Sequence, residues 1–258
     1  MAGDPMISLT PLQQLAARKG LNLFGLVDAA DFDAAQPREQ RAQALLPTCG
    51  CILVAGRGGP AIRRSHGGRG ASGPAAARGD EAAADAAAQA LSTELNAAGL
   101  RHLRLHSAAA KMRFQQLGEA AGFGVVSPVS GTLLHPVFGP WLRIEAALLV
   151  EGSPFGGAPK DGVTVGFDPC SSCVQPCVAT CSSLAVDRRG RLTRGWCGDP
   201  ARGGGCADDC DARLACPVGG GPARRAVRAK IRGHAQRSRG LGWRRTSPLW
   251  LRGVQSQR

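Results

Sequence analysis

The sequence predicts an α+β chain in three parts. A small N-terminal α/β domain with a mixed sheet covers 1–152, a cysteine-rich domain covers 153–218, and a basic tail covers 219–258. Three observations predict it. Helical and strand-like apolar periods alternate through the N-terminal part. Eight of the ten cysteines lie between Cys170 and Cys216. From Pro217 to Arg258 there are eleven Lys plus Arg and no acidic residue.

In the N-terminal domain, Thr10-Pro11 opens a first helix. Thr10 suits the N-cap, Pro11 the first helical position, and Gln13 completes a capping box. Leu12, Leu15 and Ala16 share a face, and Gly20 ends the helix. Leu21 to Val27 reads as a strand, Asp28 to Asp33 as a polar connection, and Pro37 to Leu46 as a second short helix. The apolar run Cys51 to Ala55 is a buried strand. Gly56, Gly58 and Gly59 follow it, but Pro60 comes next, and no helix in register opens there. A dinucleotide fingerprint is therefore excluded. Cys49 and Cys51 at the edge of this strand read as structural.

Residues 56–79 are mostly Gly, Arg, Ala, Ser and Pro, the composition of a flexible loop, with RNA contact through its Gly/Arg pairs as a weaker reading. Asp80 to Asn96 is the clearest helix. Asp80, Glu81 and Asp85 sit at its N-terminal end, and Leu91 and Leu95 mark its buried face. Arg101 to His106 alternates as a strand, with Leu103 and Leu105 on one side and His102 and His106 on the other, toward solvent. Lys111 to Ala121 is a helix with Phe114, Leu117 and Ala121 inward. Leu142 to Val150 is a strand, and Gly152 to Asp168 is a Gly/Pro linker.

Composition limits the function classes. Of 258 residues, 43% are hydrophobic but only 4% aromatic, so the core is built from Leu, Val, Ala and Ile. The N-terminus shows no apolar secretory segment. The longest apolar run, Ile144 to Val150, contains Glu145 and is far too short to cross a bilayer. No membrane association is expected, and a reducing cytoplasm is the expected location. The net charge of +13 less the eleven charges of the tail leaves +2 on residues 1–216. The body is near neutral, and the charge is concentrated in the tail.

The cysteines carry the chemistry. Cys170, Cys173, Cys177 and Cys181 read C-x2-C-x3-C-x3-C. Cys197, Cys206, Cys210 and Cys216 follow, the last before Pro217. Eight thiolates are what two four-iron clusters require. The bacterial ferredoxin run C-x2-C-x2-C-x3-C-P differs from this one by one residue in the middle gap. Here Pro176 lies in that gap, and Ser182 stands where the proline is expected. Closely spaced cysteines in a turn-rich loop wrap a cubane, a distant cysteine staples it to the rest of the chain, and ligation itself drives local folding. A bacterial dicluster ferredoxin-like domain is thus expected. Two tetrathiolate zinc sites are the alternative, and a disulfide framework requires an oxidising compartment.

Ala121-Gly-Phe-Gly124, then Leu134-His-Pro-Val-Phe-Gly-Pro-Trp141, then a strand and the cysteine run, resemble the epoxyqueuosine reductase and reductive dehalogenase family. The likeness spans about residues 111–218. It implies a cobalamin held against an iron–sulfur domain, with electrons passing from an external donor through two [4Fe-4S] clusters to cobalt. Carried over, it implies one cluster on Cys170, Cys173, Cys177 and Cys216, and the other on Cys181, Cys197, Cys206 and Cys210. It also nominates His135 as a corrinoid contact; a loop histidine before Pro136 is the plainer reading, as core packing is for Phe138 and Trp141. The family's general acid falls where this chain has Ser107-Ala108-Ala109-Ala110. Without a proton donor there, an accessory ferredoxin-like carrier without cobalamin is a second expectation, and a zinc-stabilised RNA-binding module a third. The tail intersperses Trp243 and Trp250 among its arginines, a composition suited to RNA through phosphate contacts and stacking, hence tRNA as a partner. A solvated tail, or a stretch read out of frame, would have the same composition.

Overall fold

In the computed structural model, the described residues are 7–59, 62, 74–105, 112–156, 166–181, 183–186, 193, 197 and 210–219. Met1–Gly221 forms one compact unit and Pro222–Arg258 a second. The whole second unit, and with it most of the basic tail, lies outside the described residues, as do Cys206, His106 and 107–110. The cysteine-bearing segment belongs to the first unit.

Four strands form the central sheet: β1 (Leu23–Asp28), β2 (Cys49–Gly58), β3 (His102–Leu105) and β6 (Leu142–Glu151), in the order β1-β2-β6-β3. Every pairing is antiparallel, not mixed as expected. The sequence supplies strands and helices in alternation, which also suits parallel crossovers. Direction is decided by where β6 enters, and β6 inserts between β2 and β3 far from either in sequence. The apolar run of β2 is buried on both faces because both are covered.

On one face lie α2 (Ala29–Ala34), α3 (Ala42–Leu45) and α5 (Phe114–Ala120), which contribute Phe32, Ala42 and Leu117 to a core with Ile52, Val54 and Leu149. On the other lie α1 (Thr10–Arg18) and α4 (Pro74–Ala97), which contribute Leu12, Ala16, Leu91 and Leu95 to a core with Leu53, Leu148 and Val150. Small side chains such as Ala87 and Ala88 let α4 lie close on the sheet, which is how a core so poor in aromatics fills its space.

Local chemistry shifts several boundaries. Thr10 lies inside α1 rather than at its cap: Leu9 is the N-cap, and the Thr10 N–H donates to Ser8 Oγ at 3.2 Å. Asp28 to Asp33 is mostly helical, not a plain connection. Asp28 Oδ1 accepts from the N–H groups of Ala30 and Asp31 and so caps α2. Asp33, at the end of the expected polar connection, is buried and accepts from the N–H groups of Ala42 and Gln43 at the start of α3. The expected second helix is broken into a 3-10 turn, Arg38–Gln40, and the short α3. The loop expected at 56–79 is shorter at both ends, because β2 runs to Gly58 and α4 begins at Pro74. Leu103, expected inward, is 37% exposed at the sheet edge. Glu145, within the apolar run, is buried and paired with Arg57 at 2.9 Å and Arg143 at 2.8 Å, as a buried carboxylate requires.

Two small features carry the sheet toward the cysteines. One is the hairpin of β4 (Val125–Val126) and β5 (Leu133–Leu134), closed by a loop through Ser127. The other is a turn in which His135 and Gly139 exchange backbone hydrogen bonds at 2.9 and 2.7 Å.

Candidate metal centre

Among the described residues of the cysteine segment are two short helices, α6 (Pro176–Thr180) and α7 (Asp211–Ala215), each barely more than one turn. They are tied together by the Thr180 hydroxyl, which lies 2.9 Å from Pro176 O and 3.3 Å from Asp211 O. A third small core forms here from Val129, Cys181, Ala185, Val186 and Ala212, so the β4–β5 hairpin packs directly into the cysteine segment. The longer middle gap has a clear structural solution. Gln175 adopts a left-handed conformation (φ 52°), Pro176 opens α6 at its first turn, and the Gln175 N–H points at Cys173 Sγ, 3.4 Å away. The extra residue lies in this turn.

Seven of the eight nominated cysteines line one cavity of about 320 Å³: Cys170, Cys173, Cys177, Cys181, Cys197, Cys210 and Cys216. The eighth, Cys206, lies outside the described residues. The remaining cysteines, Cys49 and Cys51, are buried in the two cores of the sheet, one on each face, as a structural role requires. Burial pushes their thiols up to about 11 and about 12, which leaves them protonated and inert.

The lining cysteines fall into groups by their electrostatics. Cys216 is raised to about 11, first by burial and then by the charges of Cys177, Cys170 and Cys173. Cys177 is raised by burial and by Cys173 and Cys170. These four therefore sit within one another's fields. Among the described residues, no three Cys, His, Asp or Glu side chains stand close enough to hold a single metal ion. All four line the same cavity. Cys181 behaves differently. Burial works against its thiolate, but backbone hydrogen bonds from Val186, Ala185 and Ser183, with the Ser183 hydroxyl 3.6 Å away, win and lower its pKa. Backbone N–H groups of Val178 and Val218 similarly reach Cys177 and Cys216. Sulfur accepts hydrogen bonds weakly as a thiol and strongly as a thiolate, so this density of donors belongs to sites made for thiolates.

His135, nominated from the sequence, is 8% exposed, and the residues lining the cavity do not include it. Its Nδ1 accepts from the N–H groups of Val137 (3.0 Å) and Phe138 (3.2 Å), and its ring stacks on Phe138 at 4.4 Å. The ring closes its own turn, in keeping with the plainer reading. Trp141 is buried, as expected of a core residue. Burial lowers the His135 pKa below its usual 6.5. The unfolded chain then binds a proton that the folded chain resists, so this residue's contribution is present above about pH 6.5 and lost as pH falls. The thermal midpoint is expected to decline on acidification through that range, and the decline to flatten in His135→Asn, which keeps an acceptor near Nδ1. Equal slopes in the two proteins would contradict this.

One contact had no sequence signal. Ser127 Oγ lies 3.3 Å from Cys170 Sγ, across 43 residues of sequence. A serine in a loop is unremarkable until the fold places a cysteine beside it.

No family model matches the sequence, and no curated protein matches it. Solved structures do. An epoxyqueuosine reductase from Bacillus subtilis superposes with a TM-score of 0.60 at 15% identity, over 82% of this chain and 65% of that one. Another epoxyqueuosine reductase, crystallised with a tRNA stem loop, gives 0.60 at 16% identity over the same shares. A reductive dehalogenase, the subject of a proposed mechanism for B12-dependent dehalogenation, gives 0.60 at 16% identity, over 90% of this chain and 35% of that one. At these identities the likeness is one of fold. The chain spans 65% of the length of the two reductases and about a third of the dehalogenase.

Proposed function

From the fold this chain shares with epoxyqueuosine reductases and reductive dehalogenases, we propose that it is an iron–sulfur electron-transfer protein with a reductase-like role. The observation that carries the proposal is the convergence of seven cysteines on one cavity, with the thiols spread around its wall. A lone zinc ion needs four thiolates each about 2.3 Å away. Eight cysteines in this spacing suit two [4Fe-4S] clusters, and metal analysis separates them from two tetrathiolate zinc sites.

In this reading, Cys170, Cys173, Cys177 and Cys216 hold one [4Fe-4S] cluster, in keeping with their mutual electrostatics. Cys181, Cys197, Cys206 and Cys210 hold the other. Bound there, the two clusters supply one-electron steps between neighbouring sites. The chain's own residues do the rest. Backbone N–H groups of Gln175, Val178 and Val218 neutralise charge on the first group, and those of Ser183, Ala185 and Val186 on Cys181. The small apolar core around Val129, Val186 and Ala212 shields Cys181, the buried member of the set.

The corrinoid fares differently. Its nominated contact, His135, has its Nδ1 and one ring face engaged in its own turn, so a cobalamin-dependent reduction draws its support from the shared fold and not from this residue. The proposal therefore ends at electron transfer, in a chain that draws on an external donor and passes electrons to an acceptor. The cytoplasm suits such thiolate sites. Among the described residues, no helix is long and apolar enough to cross a membrane. A tRNA substrate belongs to the same proposal, on the strength of the basic tail's composition and the reductase crystallised with a tRNA stem loop.

The test is metal analysis of the full chain purified without oxygen. About eight irons and eight acid-labile sulfides per chain are expected, with EPR signals from two interacting clusters after dithionite. Zinc without sulfide would sink the proposal.

A further inference from the structure

Ser127 is 3% exposed, and its hydroxyl makes three polar contacts. The oxygen accepts from the Val129 N–H at 3.2 Å and from the Ser130 N–H at 3.1 Å, and lies 3.3 Å from Cys170 Sγ. A serine hydroxyl has one hydrogen and two acceptor lone pairs. Both lone pairs are filled by backbone amides from the turn that follows. The hydrogen is the only part of the group left for the third contact, so Ser127 is the donor and Cys170 Sγ the acceptor. The two amides also polarise the O–H, which strengthens the bond it gives.

The placement is enforced. Ser127 closes the β4–β5 hairpin: its N–H donates to Thr132 O, and its carbonyl accepts from the Gly131 N–H, both at 2.9 Å. Val129, two residues on, is embedded in the apolar core of the cysteine segment. The hydroxyl is thus delivered to Cys170 from the sheet side of the protein by a loop anchored at both ends. Among the described residues, Cys170 is the member of its group of four that faces a side-chain hydroxyl, where backbone N–H groups face Cys173, Cys177 and Cys216.

We propose that Ser127 is a positioning residue that sets the reduction potential of the cluster held by Cys170, Cys173, Cys177 and Cys216, by donating its hydroxyl proton to Cys170 Sγ. This rests on the iron–sulfur reading above. A hydrogen bond to a ligand sulfur withdraws electron density and stabilises the reduced, more negative cluster, which raises its potential. The hydroxyl therefore makes the first cluster a better electron acceptor than its cysteines alone would, and biases the direction in which an electron moves between the two sites.

The experiment is an EPR-monitored redox titration of the full chain as wild type, Ser127→Ala, Ser127→Thr and Ser127→Val. Iron and sulfide content of the wild type decides the underlying reading separately. With both clusters assembled, Ser127→Ala is expected to move one midpoint to more negative potential and leave the other unmoved. Threonine and valine have the same shape, so any packing damage is common to the pair, and their difference isolates the hydroxyl. Threonine is expected to keep the wild-type potential, while valine shifts it or loses that one cluster. Identical potentials and identical cluster content in the threonine and valine proteins would overturn the assignment, as would an unshifted Ser127→Ala.

Discussion

Replacing Cys216 by alanine is expected to remove about half of the protein's iron and sulfide and leave a single cluster signal without spin–spin interaction. Cys216 follows directly on α7, and its thiol is buried within the fields of Cys170, Cys173 and Cys177. Those three come from one short loop. Cys216 is the distant staple, so without it the loop has three ligands and loses its thiolate tie to the chain's later segment. Local order there should fall with metal content, because ligation supplies much of the folding free energy of a segment with so little apolar core. Cys51→Ala is the control. Its thiol is also raised by burial, but it lies in the sheet core among Leu53, Leu91 and Val150. It should cost some stability and no iron. Full iron in Cys216→Ala, or equal loss in both variants, would overturn the grouping of the ligands.

Gly139→Ala should damage the same site from the opposite side. Gly139 sits at φ +60°, and a Cβ there would stand 2.3 Å from the carbonyl oxygen of Val218. The reciprocal is as tight: a Cβ on Gly219 would meet the Gly139 nitrogen at 2.3 Å. Two backbones, one from the His135 turn and one from the segment after Cys216, pass with no room for a side chain. The left-handed conformation alone costs alanine about 1–2 kcal/mol. The clash adds to this, because neither backbone can step aside without moving Cys216. Gly99→Ala separates the two effects. It has φ +71° with nothing within 4 Å of its Cβ, so it bears the conformational cost alone. At roughly 2–4 °C per kcal/mol for a domain of this size, Gly99→Ala should lower the thermal midpoint by a few degrees. Gly139→Ala should lower it further and lose iron as well. Matching midpoints and full iron in both would show that the approach of the two backbones does not position the cysteine.

These two variants mark where reading the sequence stops. The spacing of Cys170, Cys173, Cys177 and Cys181, with the later four and the terminal Cys216-Pro217, was enough to nominate every cysteine that the fold brings to the cavity. Cys49 and Cys51 were set apart from them because they sit in an apolar strand, and the fold buries them on opposite faces of the sheet. The strands β2 and β6 were legible for the same reason: continuous apolar runs persist only where both faces are covered. Such features are local, and the chemistry that fixes them lies within a few residues.

The rest was decided only by long-range contact. The antiparallel order depends on β6 entering between β2 and β3, which no single strand encodes. Asp33 lay in a stretch read only as a polar connection, and the fold brings the N–H groups at the start of α3 to its carboxylate. The ends of the Gly/Arg loop were misjudged because composition outweighed the strand and helix on either side. Ser127 beside Cys170 and Gly139 against Val218 bring together residues far apart along the chain. The sequence by itself determined which atoms could bind metal and where the sheet's core would lie, because both follow from residue type and short spacing. Which hydroxyl faces which sulfur, and where two backbones leave no room for a Cβ, are set by the packing of distant segments, and only the tertiary structure decided them.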